Sequence, residues 1–182
     1  MATGAEVIRP LRRVEYGQLI ALGAFEDEKI ELLDGELVAM SPMGGKHNYA
    51  VQQLNERLVL ALHGRASLRP QCSFAASDIS EPEPDFAVVP KGDYDDDHPS
   101  HAHLIIEVSE SSLGKDRGRK RRLYASCQIP EYWIVNLVER CVEVYREPDG
   151  QSYARMDSYE YGQSIRLLAF PDVSIAVAEI MK

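Results

Sequence analysis

The sequence predicts an α/β (α+β) fold in which a central mixed β-sheet is flanked by helices. Short apolar runs, typical of strands buried on both faces, alternate along the chain with stretches of helical periodicity. The chain has 182 residues, of which 45% are hydrophobic and 27% are charged, and these values are typical of one globular domain. We therefore expect residues 1–182 to form a single domain.

An N-terminal β-hairpin is predicted around Asp34 and Gly35, because this pair strongly favours a two-residue turn between two strands. Side chains alternate between the faces of a strand, so pairing across the turn makes Glu31 and Glu36 diagonal neighbours on one face. The hairpin therefore presents two carboxylates on the same side.

Two longer helices are predicted from the periodicity of their apolar residues. Residues 46–63 carry an apolar stripe at helical spacing, with His47 at its N-terminal end. Residues 113–127 form the second helix, and Asp116 and Lys120 fall on its apolar stripe. An ion pair between Asp116 and Lys120, which are four residues apart, would be a structural reason for both charges. However, most such pairs face solvent. An inward position instead suggests a role near Glu107.

The other predicted elements are one short helix and eight strands, two of which form the hairpin. They are a helix at 15–22 and strands at 29–33, 36–40, 67–75, 85–89, 104–108, 131–136, 140–146 and 152–159. Residues 164–182 are ambiguous between a further strand and a short terminal element. This order of elements requires both parallel and antiparallel neighbours, and it therefore predicts a mixed sheet.

Two carboxylates lie where an ionised group is costly. Glu107 lies near the end of an apolar strand, and Asp85 opens a neighbouring apolar strand. Carboxylates on adjacent central strands can converge on one hard cation such as Mg²⁺. A structural interpretation stays open, in which Glu107 pairs with a buried cation and Asp85 caps a turn.

Charge is unevenly distributed along the chain, whose net charge is −9. Residues 115–122 contain six cations and one anion, whereas residues 78–97 contain eight acids and one lysine. A net negative charge argues against a sequence-independent DNA coat protein. An acidic cluster beside a basic helix is compatible with a metal-dependent phosphodiesterase, but also with a salt-bridged surface.

Cysteine usage and hydropathy indicate a cytoplasmic protein. The three cysteines are widely spaced and include no Cys-x-x-Cys pair, so neither a disulfide framework nor a zinc site is predicted. No stretch approaches the ~18 consecutive apolar residues of a membrane helix. Arginines at positions 9, 12 and 13 interrupt the region where a signal peptide would need an apolar run.

An ordered set of motifs resembles the Uma-two family of restriction-endonuclease-like proteins, a branch of the PD-(D/E)XK nuclease superfamily. The resemblance covers roughly residues 10–180. The motifs are the stretch 31–42, His47, Pro84-Asp85, Ile106-Glu107-Val108-Ser109, Asp116, Lys120, Tyr124 and the stretch 131–135. Single pieces such as Pro-Asp are weak signals, but the ordered set with these spacings is specific.

The resemblance implies a restriction-endonuclease-like fold with a four-stranded mixed core sheet and extra strands. It also implies a metal site for Mg²⁺ (or Mn²⁺), with Asp85, Glu107 and the carbonyl of Val108 as ligands. The superfamily's usual lysine lies two residues after the glutamate, where this chain has Ser109. Branches of the superfamily can supply the cation from the following helix, and Lys120 matches that position.

The resemblance also implies further site residues. Glu31 resembles the additional acid contributed by the N-terminal part of such folds. Four positions could support the site without an assigned role: Glu36, His47, Ser109 and Asp116. Four arginines are candidates for contacting the nucleic-acid backbone: Arg117, Arg119, Arg121 and Arg122.

The implied function is a Mg²⁺-dependent DNA endonuclease that hydrolyses phosphodiester bonds with metal-activated water. Two alternatives remain: a catalytically inactive module of the same fold that binds nucleic acid or protein, and a hydrolase of a smaller phosphoester. Ser109 and the net charge of −9 favour the inactive module. A homodimer is expected because cutting two strands requires two centres, and strands within 131–146 are candidates for the interface.

Overall fold

A computed structural model describes residues 8–181 of the chain. Five helices, one π-helical segment and ten strands make up the fold in this part of the chain. The helices are α1 (Arg13–Ala21), α2 (Gly45–Leu62), α3 (Leu113–Lys115), α4 (Arg121–Ser126) and α5 (Val177–Ile180), with a π-helical segment (Asp116–Lys120) joining α3 to α4. The strands are β1 (Ile30–Leu33), β2 (Glu36–Ala39), β3 (Ser67–Pro70), β4 (Phe86–Val89), β5 (Leu104–Ser109), β6 (Glu131–Asn136), β7 (Cys141–Pro148), β8 (Tyr153–Glu160), β9 (Ser164–Arg166) and β10 (Ser174–Ala176).

Six strands form a central mixed sheet in the order β3-β4-β5-β6-β7-β8. Only the β5–β6 pair is parallel, and the other four pairs are antiparallel. The predicted fold class, a mixed sheet flanked by helices, is confirmed. The four-stranded core sheet that the resemblance implied is extended to six strands.

Apolar side chains cover both faces of the sheet. On one face α2 and α5 pack through residues such as Leu54, Leu58 and Ile180 against Trp133 and its neighbours. On the other face, Tyr124 and Ala125 of α4 pack against the opposite side of β5 and β6. A sheet covered in this way explains the near-continuous apolar runs of its central strands.

The N-terminal hairpin pairs in the predicted register, with Leu33 opposite Glu36 and Glu31 opposite Val38. Its turn residues have positive φ angles of 47° at Asp34 and 79° at Gly35, as a two-residue turn of this kind requires. Gly35 also fits closely against Pro10, where a Cβ atom would lie 2.2 Å from the proline side chain.

Two predicted elements and one placement were wrong. The strand predicted at 67–75 ends at Pro70, because Gln71 has a φ of 50° and turns the chain out of the sheet. The helix predicted at 113–127 is divided by the π-helical segment. The ambiguous terminal segment forms the β9–β10 pair and α5.

The placement concerns the strands suggested for a dimer interface. β6 and β7 lie inside the sheet, between β5 and β8, so their backbone groups are already paired and cannot join a second chain. The free edges are β3 and β8.

Among residues 8–181, no helix is both long enough and apolar enough to cross a membrane.

Candidate active site

The sheet brings Asp85 and Glu107 together at one of its ends. Asp85 immediately precedes β4, and Glu107 lies in the second half of β5. Phe86 pairs with Ile106 in the antiparallel register, so the two carboxylates stand on adjacent strands in the next row. The backbone N–H of Val108 donates a hydrogen bond of 2.8 Å to Asp85 Oδ2, which fixes this carboxylate against β5.

Glu107 is buried and accepts two hydrogen bonds on one oxygen. Lys120 Nζ lies 2.9 Å and the Tyr124 hydroxyl 2.7 Å from Glu107 Oε1. Burial raises the pKa of Glu107 to about 8, because Lys120 offsets only part of the desolvation and the carboxylates of Asp116 and Asp85 add repulsion. The protein therefore leaves negative charge at this position incompletely compensated.

Lys120 lies between two glutamates from different parts of the chain. Its Nζ is 3.0 Å from Glu31 Oε2, while Lys115 Nζ is 2.6 Å from Glu31 Oε1. Burial opposes ionisation of Glu31, but the two ammonium groups outweigh it and lower the pKa of Glu31. Burial likewise opposes the charge of Lys120, but Glu107 and Glu31 raise its pKa. The result is an alternating row of charges that ties β1 to β5 through the π-helical segment.

His47 holds Asp85 from the opposite side. Its Nε2 lies 3.2 Å from Asp85 Oδ2, and Gln71 Nε2 lies 3.4 Å from Asp85 Oδ1. Burial opposes protonation of His47, but the hydrogen bond and charge of Asp85 raise the histidine pKa. His47 occupies the first turn of α2, so this helix positions the carboxylate at the end of β4.

Asp116 is held by two hydroxyl groups. Ser109 Oγ and Ser112 Oγ each donate a hydrogen bond of 2.6 Å to Asp116 Oδ2. Ser109 thus occupies the position of the superfamily's usual lysine but binds Asp116. The predicted inward orientation of Asp116 and Lys120 is found, since both are buried. The Lys120 side chain bonds Glu107 and Glu31. An ion pair between Asp116 and Lys120, four residues apart, therefore does not explain the orientation of Lys120.

The remaining sequence candidates lie outside this cluster. Glu36 is exposed and pairs with Arg119 at 2.9 Å. Arg117 binds Glu143 at 2.6 Å and Glu139 at 2.9 Å. Arg121 lies over the ring of Tyr145 at 5.6 Å, whereas Arg122 is exposed. The structure therefore engages three of the four arginines with the protein's own residues.

The cluster lines a cleft at this end of the sheet. The carboxylates of Glu83 and Glu110 also line it, together with the β2–α2 loop at residues 40–44. A Cβ atom at Gly44 would lie 3.2 Å from Glu110 Oε2, so the loops that flank the cleft approach each other there. Burial raises the pKa of Glu83, and the nearby charge of Glu31 raises it further.

The donor set of the cleft fits a hard divalent cation. Carboxylate oxygens and a backbone carbonyl are the ligands that Mg²⁺ and Mn²⁺ prefer. Burial is the main cause of the raised pKa of Glu107, and the nearby Asp116 and Asp85 add to it; a cation bound here would favour the ionised carboxylate. The ligand set expected from the sequence, Asp85, Glu107 and Val108, lines this cleft.

A second acidic cluster lies at the β6–β7 turn. Ligand atoms of Glu139, Cys141 and Glu143 lie within 4.8 Å of one another. Arg117 donates to both glutamates, so this group already holds one cation. Five acidic residues line the cleft around Glu107, together with Lys115 and Lys120.

Sequence reasoning did not assign roles to Lys115 or to the Tyr124 hydroxyl. Tyr124 follows Lys120 by four residues, and this spacing on the same helical face was the available signal. Lys115 was counted only within the basic run. Its contact with Glu31 depends on the packing of the hairpin against the helical segment, which no local pattern reveals.

Comparisons with known proteins agree with the fold. The model of the Uma2 family, described as "Putative restriction endonuclease", matches residues 14–178. A crystal structure of a "putative nuclease belonging to DUF820" from Anabaena variabilis ATCC 29413 is similar with a TM-score of 0.75 and 15% identity. The match covers 94% of this chain and 97% of that chain. No curated protein matches the sequence significantly.

Proposed function

Since the chain belongs to the Uma2 family of restriction-endonuclease-like proteins, we propose that it is a metal-dependent nuclease that hydrolyses phosphodiester bonds, with DNA as its substrate. The observation that carries the proposal is the environment of Glu107. A buried carboxylate stands beside Asp85, bonded to Lys120 and Tyr124, in a cleft with an excess of acidic groups.

Asp85, Glu107 and the carbonyl of Val108 would hold one or two Mg²⁺ or Mn²⁺ ions. A bound ion of this kind lowers the pKa of a coordinated water and neutralises charge that develops on the phosphate. The protein's part is to hold both carboxylates in place: Val108 N–H and His47 orient Asp85, and the Tyr124 hydroxyl orients Glu107.

Lys120 supplies fixed positive charge next to Glu107. Its ammonium lies within 3.0 Å of both Glu31 and Glu107, so it does not need to reorganise during the reaction. Glu31 acts through this lysine and is a positioning residue. Its full burial and its two lysine partners make it suited to that task.

The four arginines of residues 117–122 remain candidates for phosphate contact. Arg122 is exposed, and no ion pair of its side chain is found within residues 8–181. Arg117 and Arg119 would have to release acidic partners before they could bind a phosphate. Among the four, Arg122 is therefore the residue best placed to act without rearrangement.

If the DNA substrate is a duplex, a homodimer also belongs to this proposal, because cleavage of both strands requires two centres. β8 offers a free edge of the sheet, with Met156 half-exposed on it. Sedimentation velocity over a range of protein concentrations would test it, and a monomer at all concentrations would argue for single-strand cleavage.

The decisive experiment is a calorimetric titration with Mn²⁺, followed by cleavage of plasmid and single-stranded DNA with the same samples. The variants are wild type, Asp85→Asn and the control Asp95→Asn, which removes an exposed acid from a surface loop. We expect wild type and the control to bind Mn²⁺ and cleave, and Asp85→Asn to do neither.

Specific Mn²⁺ binding without cleavage of either DNA would favour the inactive module. Ser109, bonded to Asp116 in the place of a lysine, is the observation that keeps this alternative open. Hydrolysis of bis(p-nitrophenyl) phosphate without cleavage of DNA would instead favour the smaller phosphoester.

A further inference from the structure

A groove beside the cleft combines cationic and apolar lining residues. It is lined by Gly45, Lys46, Tyr49, Leu137, Arg140, Ile180 and Met181. Lys46 and Arg140 are exposed, and neither side chain forms an ion pair with another residue in the range 8–181. The apolar part is supplied by Leu137, Ile180 and Met181.

We propose that this groove binds a single-stranded nucleic-acid segment next to the scissile phosphodiester, with Lys46 and Arg140 on its phosphates and the apolar wall against a base. The inference rests on the proposed nuclease function and deepens it by naming the form of the substrate. It adds a binding site outside the carboxylate cluster.

The groove lies next to the cleft, because residues that line the two are neighbours in the chain or joined by a hydrogen bond. Leu137 follows β6 directly, and its N–H donates a 2.9 Å hydrogen bond to the carbonyl of Ser109, two residues after Glu107. On the other side, Gly44 lines the cleft and Gly45 lines the groove. A polymer leaving the cleft along the first turn of α2 therefore enters the groove.

The charge of the groove is complementary to a phosphate. The acid nearest in sequence to Arg140 is Glu139, which Arg117 holds at 2.9 Å. Within residues 8–181, neither Lys46 nor Arg140 forms an ion pair, in a protein whose net charge is −9. The first turn of α2 adds a partial positive charge, and its N-cap, Gly44, has no side-chain cap.

A single strand fits better than a duplex. The Glu110 side chain reaches Gly44 beside the carboxylates, which narrows the path there. An apolar wall next to two cations matches an unpaired base and its phosphates, because a base in a duplex has its faces stacked on neighbouring bases. The apolar wall of the groove carries no charge, so it can contact any of the bases.

The test measures binding of a short fluorescein-labelled DNA single strand to the metal-free protein by fluorescence anisotropy. The variant Lys46→Glu/Arg140→Glu reverses both groove charges. The control Lys91→Glu/Arg166→Glu changes net charge equally, since Lys91 and Arg166 are also exposed but lie beyond β4 and in β9, away from the groove lining.

We expect the groove variant to bind about tenfold more weakly than wild type, and the control to bind like wild type. The slope of log K against log salt should fall by about 1.4 when two single-strand phosphate contacts are lost. The milder variant Lys46→Gln/Arg140→Gln should weaken binding in the same direction, and thermal melting followed by circular dichroism verifies that each variant folds.

Three results would overturn the proposal. They are an equal loss of DNA binding in the groove variant and the control variant, no binding by wild type, or tighter binding of the matching duplex than of the single strand. Because binding is measured without metal or turnover, these results are separate from failure of the nuclease function. That function is judged by Mn²⁺ binding and cleavage with Asp85→Asn. If the protein binds a single strand but never cleaves DNA, the proposed binding groove stands and the proposed nuclease function fails.

Discussion

Two buried glutamates stand in the same row of the sheet and meet opposite electrostatic conditions. Glu107 of β5 pairs with Ile134 of β6, and Ile134 pairs with Glu143 of β7. Glu143 accepts from Arg117, Asn136 and Tyr145, and although burial opposes its charge, these donors lower its pKa. Burial and neighbouring acids raise the pKa of Glu107.

From this contrast we infer that Glu143 is a structural carboxylate and that Glu107 belongs to the proposed site. Glu143 has donors on both oxygens and little need for anything further. Glu107 faces a cleft with fewer donors than its charge requires. A buried acid that the fold leaves partly uncompensated is a candidate for binding a ligand that supplies the missing charge.

The largest effect is expected from Glu107→Gln. Loss of a metal ligand should reduce phosphodiester cleavage about 1,000-fold or more. Above pH 8, where Glu107 is ionised in the folded chain, the free energy of unfolding in EDTA should stay equal or rise, because a costly buried charge is removed. Cleavage rates and urea denaturation of the same preparation check both parts. A large loss of stability with retained cleavage would make Glu107 the structural residue of the pair.

The next effect is expected from Lys120→Met. Removal of the fixed charge beside Glu107 should slow cleavage about 100-fold, while the affinity for Mn²⁺ changes less than in Asp85→Asn. Single-turnover kinetics and calorimetry distinguish rate from metal binding. Lys91→Met, which removes an exposed lysine, is the control, and wild-type cleavage by Lys120→Met would remove this lysine from the site.

Glu143→Gln should do the reverse of Glu107→Gln. The amide cannot neutralise Arg117, and the lost charge-assisted hydrogen bonds should lower the free energy of unfolding by about 2 kcal/mol. Cleavage per folded molecule should remain at the wild-type rate. Chemical denaturation combined with cleavage assays measures this, and an inactive but fully stable variant would contradict the distinction between the two glutamates.

The smallest effect is on the pH dependence of stability in the metal-free protein. The folded chain holds a proton on Glu107 between its ordinary pKa of 4.5 and about 8, so this group makes stability fall as pH rises through that range. Glu143 has a lowered pKa, so its contribution is present above its ordinary pKa and is lost as pH falls through the folded value.

Denaturation at several pH values should therefore show a flatter alkaline side for Glu107→Gln and a flatter acidic side for Glu143→Gln, relative to wild type. Identical profiles for the two variants would mean that the fold treats both glutamates alike.

The sequence predicted those parts of the site that depend on strand neighbours and helix faces. Asp85 and Glu107 were expected on adjacent strands and Lys120 on the inward face of a helix, and the structure brings them together. Long-range pairings were beyond a local pattern. The contact of Arg117 with Glu143 spans 26 positions, and that of Lys115 with Glu31 spans 84.

The basic run illustrates the same limit. Six neighbouring cations look like a surface for phosphate, but side-chain partners are set by tertiary packing. Arg117 and Arg119 find acids on β7 and the N-terminal hairpin, whereas Lys46 and Arg140, isolated in the sequence, keep their charges free. The dimer surface suggested for 131–146 failed for a related reason, since strand order depends on the whole sheet.

The π-helical segment at Asp116–Lys120 carries a consequence for how this chain can tolerate insertions and deletions. Its hydrogen bonds run to the fifth rather than the fourth residue, so it contains more residues per turn than the α-helix that follows. Deletion of Gly118 would restore α-helical regularity and rotate the preceding residues by about 100° relative to α4. Lys115 would then lose its contact with Glu31, and Asp116 its contact with Ser109. The helix would gain regular hydrogen bonds, but the site would lose its geometry.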